Sequence, residues 1–286
     1  MNDTSIAVGF AIFIWWFSTG IVILLNRMSR SAIALSLVLS SLLGVAALVG
    51  LAHTAQQTSL TGAYCAFTCA LLAWGWNELS FLTGWITGPR TTPLPAGTVG
   101  WRRFVESFRA VLWHELGILL VGLSIVAITW DAPNQVGTGT YLVLWVMRTS
   151  AKLNLFFGVR NLSEEFLPAH LAYLQSFFRR RAANVFFFFA VAAASACLLL
   201  LVAGAKDVLT SASQAVGYAL VATMLALAIL EHLLLVLPLD TTALWRWAIR
   251  KAPQQPAGPV VVQSTSAAAL TVKDTLDAHD KLFQIH

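Results

Sequence analysis

Charge is what this chain has least of. Asp, Glu, Lys and Arg make up 11% of its 286 residues, against roughly a quarter in an ordinary soluble domain. A water-facing surface of normal size cannot be built from so few. Cysteine is scarce as well: the 3 present cannot supply a disulfide framework. Cys65, Cys69 and Cys197 fall in apolar stretches, where small thiols usually serve packing. Cys65 and Cys69 share a helix face at a spacing of four and offer at most half a metal site. No glycine-rich phosphate loop, nucleophile elbow, zinc-ribbon spacing or internal repeat occurs.

Apolar length is what remains. Hydrophobic residues make up 58% of the chain and mean hydropathy is +0.74, which reads as a membrane protein. A helix needs about 20 apolar residues to cross a hydrocarbon core. Such runs lie at 5–25, 32–52, 60–86, 111–130, 139–158, 184–204 and 211–238, so the sequence predicts an all-α polytopic bundle of about seven transmembrane helices.

Lys and Arg collect in cytoplasmic loops, and here they fall in alternate connections. Arg27 and Arg30 follow the first run, Arg90, Arg102, Arg103 and Arg109 the third, Arg160 and Arg179–Arg181 the fifth, and Arg246, Arg250 and Lys251 the seventh. The other loops hold His53, Asp131, Lys206 and Asp207. That alternation predicts a periplasmic N-terminus and a cytoplasmic C-terminus. It also accounts for the net charge of +5 without a nucleic-acid partner. With no basic residues before the first run and no small-residue cleavage site after it, that run reads as a retained helix. Residues 1–250 then form the bundle and 251–286 a cytoplasmic tail. Within it, 252–269 has linker composition and 270–286 places Leu270, Val272, Leu276, Leu282 and Phe283 as the apolar positions of a short amphipathic helix.

Ionisable residues inside spans are costly and normally face the bundle interior. Glu78, His114, Glu115, Arg148, Lys152, Asn154, Glu165, His170, Glu231 and His232 all fall toward the cytoplasmic side. This shared depth is the main functional signal. One reading is a metal centre for iron or manganese, with Glu78, His114, Glu115, Glu165, His170, Glu231 and His232 as candidate ligands; against it, no Glu-x-x-His occurs. The other is an internal ion-pair and hydrogen-bond network using Arg148, Lys152 and Arg160. Trp74, Glu78 and Trp85 are expected on one helix face, where the two indoles would suit a flat pigment with His114 or His232 as axial ligand. Plainer roles are also open: Trp anchors at the interface, Asn161 with Glu164 as a helix N-cap pair, and 169–181 along the interface with Phe177 and Phe178 inward.

The segments "WNELSFLTGW", "WHELG", "SAKLNLFFGVRNLSEEFLPAHLAYL" and "EHLLLVLPL…LWRW" together resemble the PuhE-type photosynthetic complex assembly proteins of purple and aerobic anoxygenic phototrophic bacteria. The resemblance spans roughly 5–250. It implies a multi-pass protein of the bacterial inner membrane, in contact with lipid and with reaction-centre or pigment-biosynthesis proteins. Its expected work is reaction-centre assembly or bacteriochlorophyll biosynthesis and delivery, with bacteriochlorophyll or a precursor as ligand. The alternative is a metal-dependent oxidase or hydroxylase, a di-iron enzyme being one form of it, acting on a tetrapyrrole, carotenoid or quinone.

Overall fold

The computed structural model describes residues 2–162, 164, 167–239 and 241–248. Glu165 and the expected tail segments at 252–269 and 270–286 lie outside the described residues. Seven long helices appear among those described: α1 (Asp3–Leu25), α2 (Arg30–Thr54), α3 (Leu60–Leu82), α4 (Gly100–Ile128), α5 (Val136–Phe157), α6 (Val185–Lys206) and α7 (Ala212–Val236). A 3₁₀ segment, Ala169–Phe177, lies between α5 and α6, and another, Thr241–Trp245, follows α7. Most helices start where the sequence offers a capping oxygen. The side chains of Asn2, Ser29, Ser59, Asn184 and Ser211 each accept the backbone N–H three residues on, satisfying a donor the helix itself cannot.

Five of the helices, α1, α2, α4, α6 and α7, are long and apolar enough to cross a membrane, and the chain is a multi-pass membrane protein. α3 and α5 coincide with two further expected runs but carry the polar residues Asn77 and Glu78, and Arg148, Lys152 and Asn154. Both are interior: α3 packs on α2, α5 and α7, and α5 on α3, α4 and α7. The outward faces are apolar, as on α2 (Leu35, Val38, Leu42, Val45) and α6 (Phe188, Phe189, Leu199, Leu200), all exposed.

Lipid tails are as apolar as leucine, so close backbone approach has to hold the bundle together. Small residues provide it. Ala63, Ala66, Ala70 and Ala73 are buried along α3, as are Ala7 and Ala11 on α1. At Gly137 a Cβ would lie 2.3 Å from a Leu51 methyl. Two apolar clusters result. Trp74, Ile118, Ile125 and Tyr141 anchor one; Phe67, Leu220 and Met224 anchor the other.

At the basic end the helices stop at different heights and irregular chain fills the gap. α3 ends at Leu82 rather than continuing to 86 because Gly84 takes φ +78° and the N–H groups of Trp85 and Ile86 both turn back to the Ser80 carbonyl. Trp85 is therefore 60% exposed and off the face of Trp74 and Glu78, contrary to the helical register expected of it. α4 begins at Gly100, eleven residues before its apolar run, with its first turns lying over the basic end. The α3–α4 loop folds onto it: His114 donates its backbone N–H to Thr87 at 2.9 Å, and a Cβ on Gly88 would be 2.1 Å from the Arg109 carbonyl. Phe81, Ala110, Leu171, Leu174 and Phe177 form a third apolar cluster beneath the 3₁₀ segment, with Phe177 inward as expected. Asn161 also makes a long-range contact. Its amide donates to the Leu234 carbonyl at 2.7 Å and to that of Leu237, closing the end of α7, while Glu164 pairs with Arg180 at 3.2 Å.

Candidate functional site

The polar site grows out of the apolar core by simple helical spacing. On α5, Leu144 packs into both main clusters; Arg148 and Lys152 follow at intervals of four, which keeps them on the same face. On α3, Leu71 and Trp74 precede Glu78, and on α7 Leu227 precedes Glu231 by one turn. Each interior face thus changes from apolar to ionised at about the same level.

Two ion pairs join the helices there. Arg148 reaches Glu78 at 2.9 Å and Lys152 reaches Glu115 at 2.6 Å. Glu231 accepts the indole N–H of Trp15 on α1 at 2.9 Å, and Arg148 lies within electrostatic range of Glu231 and Glu115 as well. Coulomb attraction between unit charges strengthens sharply as the surroundings become less polar; the two pairs tie α3 and α4 to α5, and the indole contact ties α1 to α7.

The histidines are placed differently. His232 is 2% exposed, with Nδ1 at the Ala228 carbonyl and Nε2 at the Ser150 hydroxyl, both 2.9 Å. Axial ligation would require it to give up the Ser150 contact. His114 is 1% exposed under the Phe81 ring, whose centroid lies 4.4 Å away, and its Nε2 has no hydrogen-bond partner. A pigment would have to displace Phe81 to reach it. His170 stands apart on the 3₁₀ segment, its Nε2 3.0 Å from the Leu82 carbonyl. Asn154 accepts from Asn184 through Oδ1 at 3.0 Å. Trp74 is packed edge-on against Tyr141 and offers no open face.

Among the described residues no three His, Cys, Asp or Glu side chains gather as a set that could hold a metal. Of the candidate ligands, Glu78 and Glu115 sit in ion pairs, Glu231 is bonded to an indole, His232 to a serine and a carbonyl, and His170 to a carbonyl. The arrangement observed is a partly balanced charge network.

Two features escaped the sequence reading. Asn77 donates to the Tyr141 hydroxyl at 3.1 Å, which in turn donates to the Ile118 carbonyl at 2.9 Å, a buried relay from α3 through α5 to α4. Arg103, read as a topogenic charge, is 5% exposed. It donates to the carbonyls of Phe156 at 3.0 Å and of Phe177 and lies 3.9 Å above the Phe156 ring. An unsatisfied carbonyl pair has no sequence signature, so nothing distinguished Arg103 from its neighbour Arg102.

No solved structure matches the chain. It is 34% identical over 253 residues, covering 87% of its own length and 92% of the relative's, to a Rhodobacter capsulatus protein described as "Uncharacterized 30.4 kDa protein in puhA 5'region". A family model described as "Protein of unknown function (DUF3623)" matches residues 1–256. The chain belongs to the DUF3623 family.

Proposed function

We propose that the chain is a multi-pass factor of the bacterial inner membrane that acts in assembling the photosynthetic reaction centre or in delivering bacteriochlorophyll to it. The observation that carries this reading is the location of its Rhodobacter capsulatus relative, in the puhA 5' region, which supports a photosynthesis-related membrane role. Sequence resemblance to the PuhE-type assembly proteins points the same way. A bundle whose charges are mostly spent on one another, with no gathered ligand set among the described residues, suits a binding or scaffolding role better than metal-dependent oxidation. In this reading the N-terminus is periplasmic and the polar level faces the cytoplasmic leaflet. An impermeant thiol reagent should then label cysteines placed at Asn134 and Lys206 in intact cells and miss one placed at Arg90.

Deleting the gene in a phototrophic host tests the function itself. The expected result is a reaction-centre level reduced several-fold with bacteriochlorophyll precursors unchanged in kind, read from membrane absorption spectra and pigment chromatography. Accumulation of an unoxidised pigment intermediate would overturn the assembly reading in favour of an enzyme. Unchanged reaction centres and pigments would overturn both.

A further inference from the structure

A cavity of about 320 Å³ lies at the basic end of the bundle, between the connection from α1 to α2 and the start of the 3₁₀ segment. Asn26 and Arg27 line it from one side, and Leu167, Pro168, Ala169 and His170 from the other. Its volume is at the small end of ligand cavities, roughly 300–1,000 Å³. Arg27, Ala169 and His170 are exposed, so the cavity can be entered from outside. No acidic side chain lines it among the described residues.

Its polar groups are held in place and incompletely used. Asn26 ends α1, with its backbone N–H turned back to the carbonyls of Leu24 and Val22, yet its side-chain Oδ1 is buried without a hydrogen-bond partner. Few buried acceptors are left so. His170 is fixed by two contacts. Its Nε2 lies 3.0 Å from the Leu82 carbonyl; a carbonyl only accepts, so Nε2 carries the hydrogen. The ring also occupies the space a side chain on Gly84 would need, since a Cβ there would be 2.9 Å from Cδ2. Nδ1 is left without a partner among the described residues, able to accept from a hydroxyl in the neutral ring or to donate to an anion in the charged one. Arg27 is also engaged within the chain; what it brings to the cavity is a fixed positive charge.

An occupant must therefore offer negative charge to Arg27, a donor to Asn26 Oδ1, a polar group to His170 Nδ1, and an apolar part to Leu167 and Pro168. A carboxylate supplies only the first of these. A phosphate ester that also bears a hydroxyl supplies them together, its phosphate oxygens accepting from the cations and its hydroxyl donating to the asparagine. We propose that this cavity binds a hydroxyl-bearing phosphate ester of the glycerophosphate type, presented either as a lipid headgroup or as a soluble ester. The bound ester joins the end of α1 to the 3₁₀ segment. The site is separate from the ion pairs of Glu78 and Glu115 and does not depend on the assembly reading.

The full chain, purified in dodecyl maltoside, is titrated with phosphatidylglycerol, phosphatidylcholine and glycerol phosphate, and bound copies are counted by native mass spectrometry. Phosphatidylglycerol is expected to bind more tightly than phosphatidylcholine, which has the phosphate but no hydroxyl. Arg27→Gln should weaken binding about tenfold, the loss of one charge-assisted hydrogen bond. Arg30→Gln, which removes a nearby positive charge outside the cavity, should leave binding unchanged. Ala169→Trp fills the cavity without removing a polar group and should abolish binding in a protein that unfolds at the parent's temperature. Phosphatidylglycerol binding with this pattern assigns the lipid as the source; glycerol phosphate binding with this pattern, and no phosphatidylglycerol, assigns the soluble ester. Failure of both to bind, phosphatidylcholine bound as tightly as phosphatidylglycerol, binding that survives Ala169→Trp, or an equal loss in Arg30→Gln and Arg27→Gln would overturn the proposal.

Discussion

Glu115→Ala lowers the stability of the purified protein by roughly 3 kcal/mol, the lower part of the range for stranding one partner of a buried ion pair, and Glu115→Ala with Lys152→Met returns most of the loss. The reasoning begins with burial. The side chains of Lys152 and Glu115 are 23% and 17% exposed and only 2.6 Å apart, so neither has enough water to stand alone. Removing the acid leaves an ammonium on α5 beside Arg148, which is already a like charge. Removing both leaves an apolar contact between α4 and α5 beside the Arg148–Glu78 pair, with no charge stranded. Thermal unfolding in a single detergent, compared across the parent, both single variants and the double, reads the effect. A Glu115→Ala protein as stable as the parent would mean that the pair contributes nothing to holding α4 against α5.

Arg103→Ala is expected to cost about 3 kcal/mol, from two carbonyls left without a donor and a lost cation–π contact. Its guanidinium reaches the last turn of α5 through Phe156, the end of the 3₁₀ segment through Phe177, and the Phe156 ring. No other described side chain donates to either carbonyl. Arg103→Lys should recover little, because an ammonium on a flexible stem is not the planar fork that two divergent acceptors require. Besides a lower unfolding temperature, the variant should be cut by trypsin at Arg179–Arg181 several-fold faster than the parent, since the segment before them loses its tie to α4 and α5. Equal protease resistance in parent and Arg103→Ala would show that the apolar cluster of Phe81, Leu171, Leu174 and Phe177 holds this segment unaided.

The long elements were readable because periodicity and capping agree with tertiary packing. Ser59 stands immediately before one apolar run and Ser211 opens another, and both cap the helix that follows. The polar level was readable for an energetic reason: an acid or base inside a span must face a partner, so shared depth along several helices already implied convergence. Identity of the partners was not. Glu78 finds Arg148 and not Lys152 because of helix rotation and packing height, which an apolar pattern leaves open. Trp85 shows the opposite failure. A register argument carried it along α3, whereas the positive φ of Gly84 had already ended the helix. Asn161 shows a third limit, since its contact with carbonyls of α7 more than seventy residues away has no signature in local capping spacing. Arg103 was hidden because a basic residue near a membrane end has a sufficient topogenic explanation.

Central to the account is the claim that the acid of α3 and the base of α5 meet inside one polar level of the bundle. Short-span thiol cross-linking tests it most directly. With Cys65, Cys69 and Cys197 replaced by alanine, cysteines are introduced by Glu78→Cys and Arg148→Cys in the full chain, and native membranes are treated with a short bifunctional methanethiosulfonate. A control pair combines Arg148→Cys with Leu42→Cys, on the 64% exposed outward face of α2. The account predicts an intramolecular cross-link for the first pair and none for the control, seen as a bridged peptide by mass spectrometry. Absence of the bridge between positions 78 and 148 while both thiols remain reactive would contradict it.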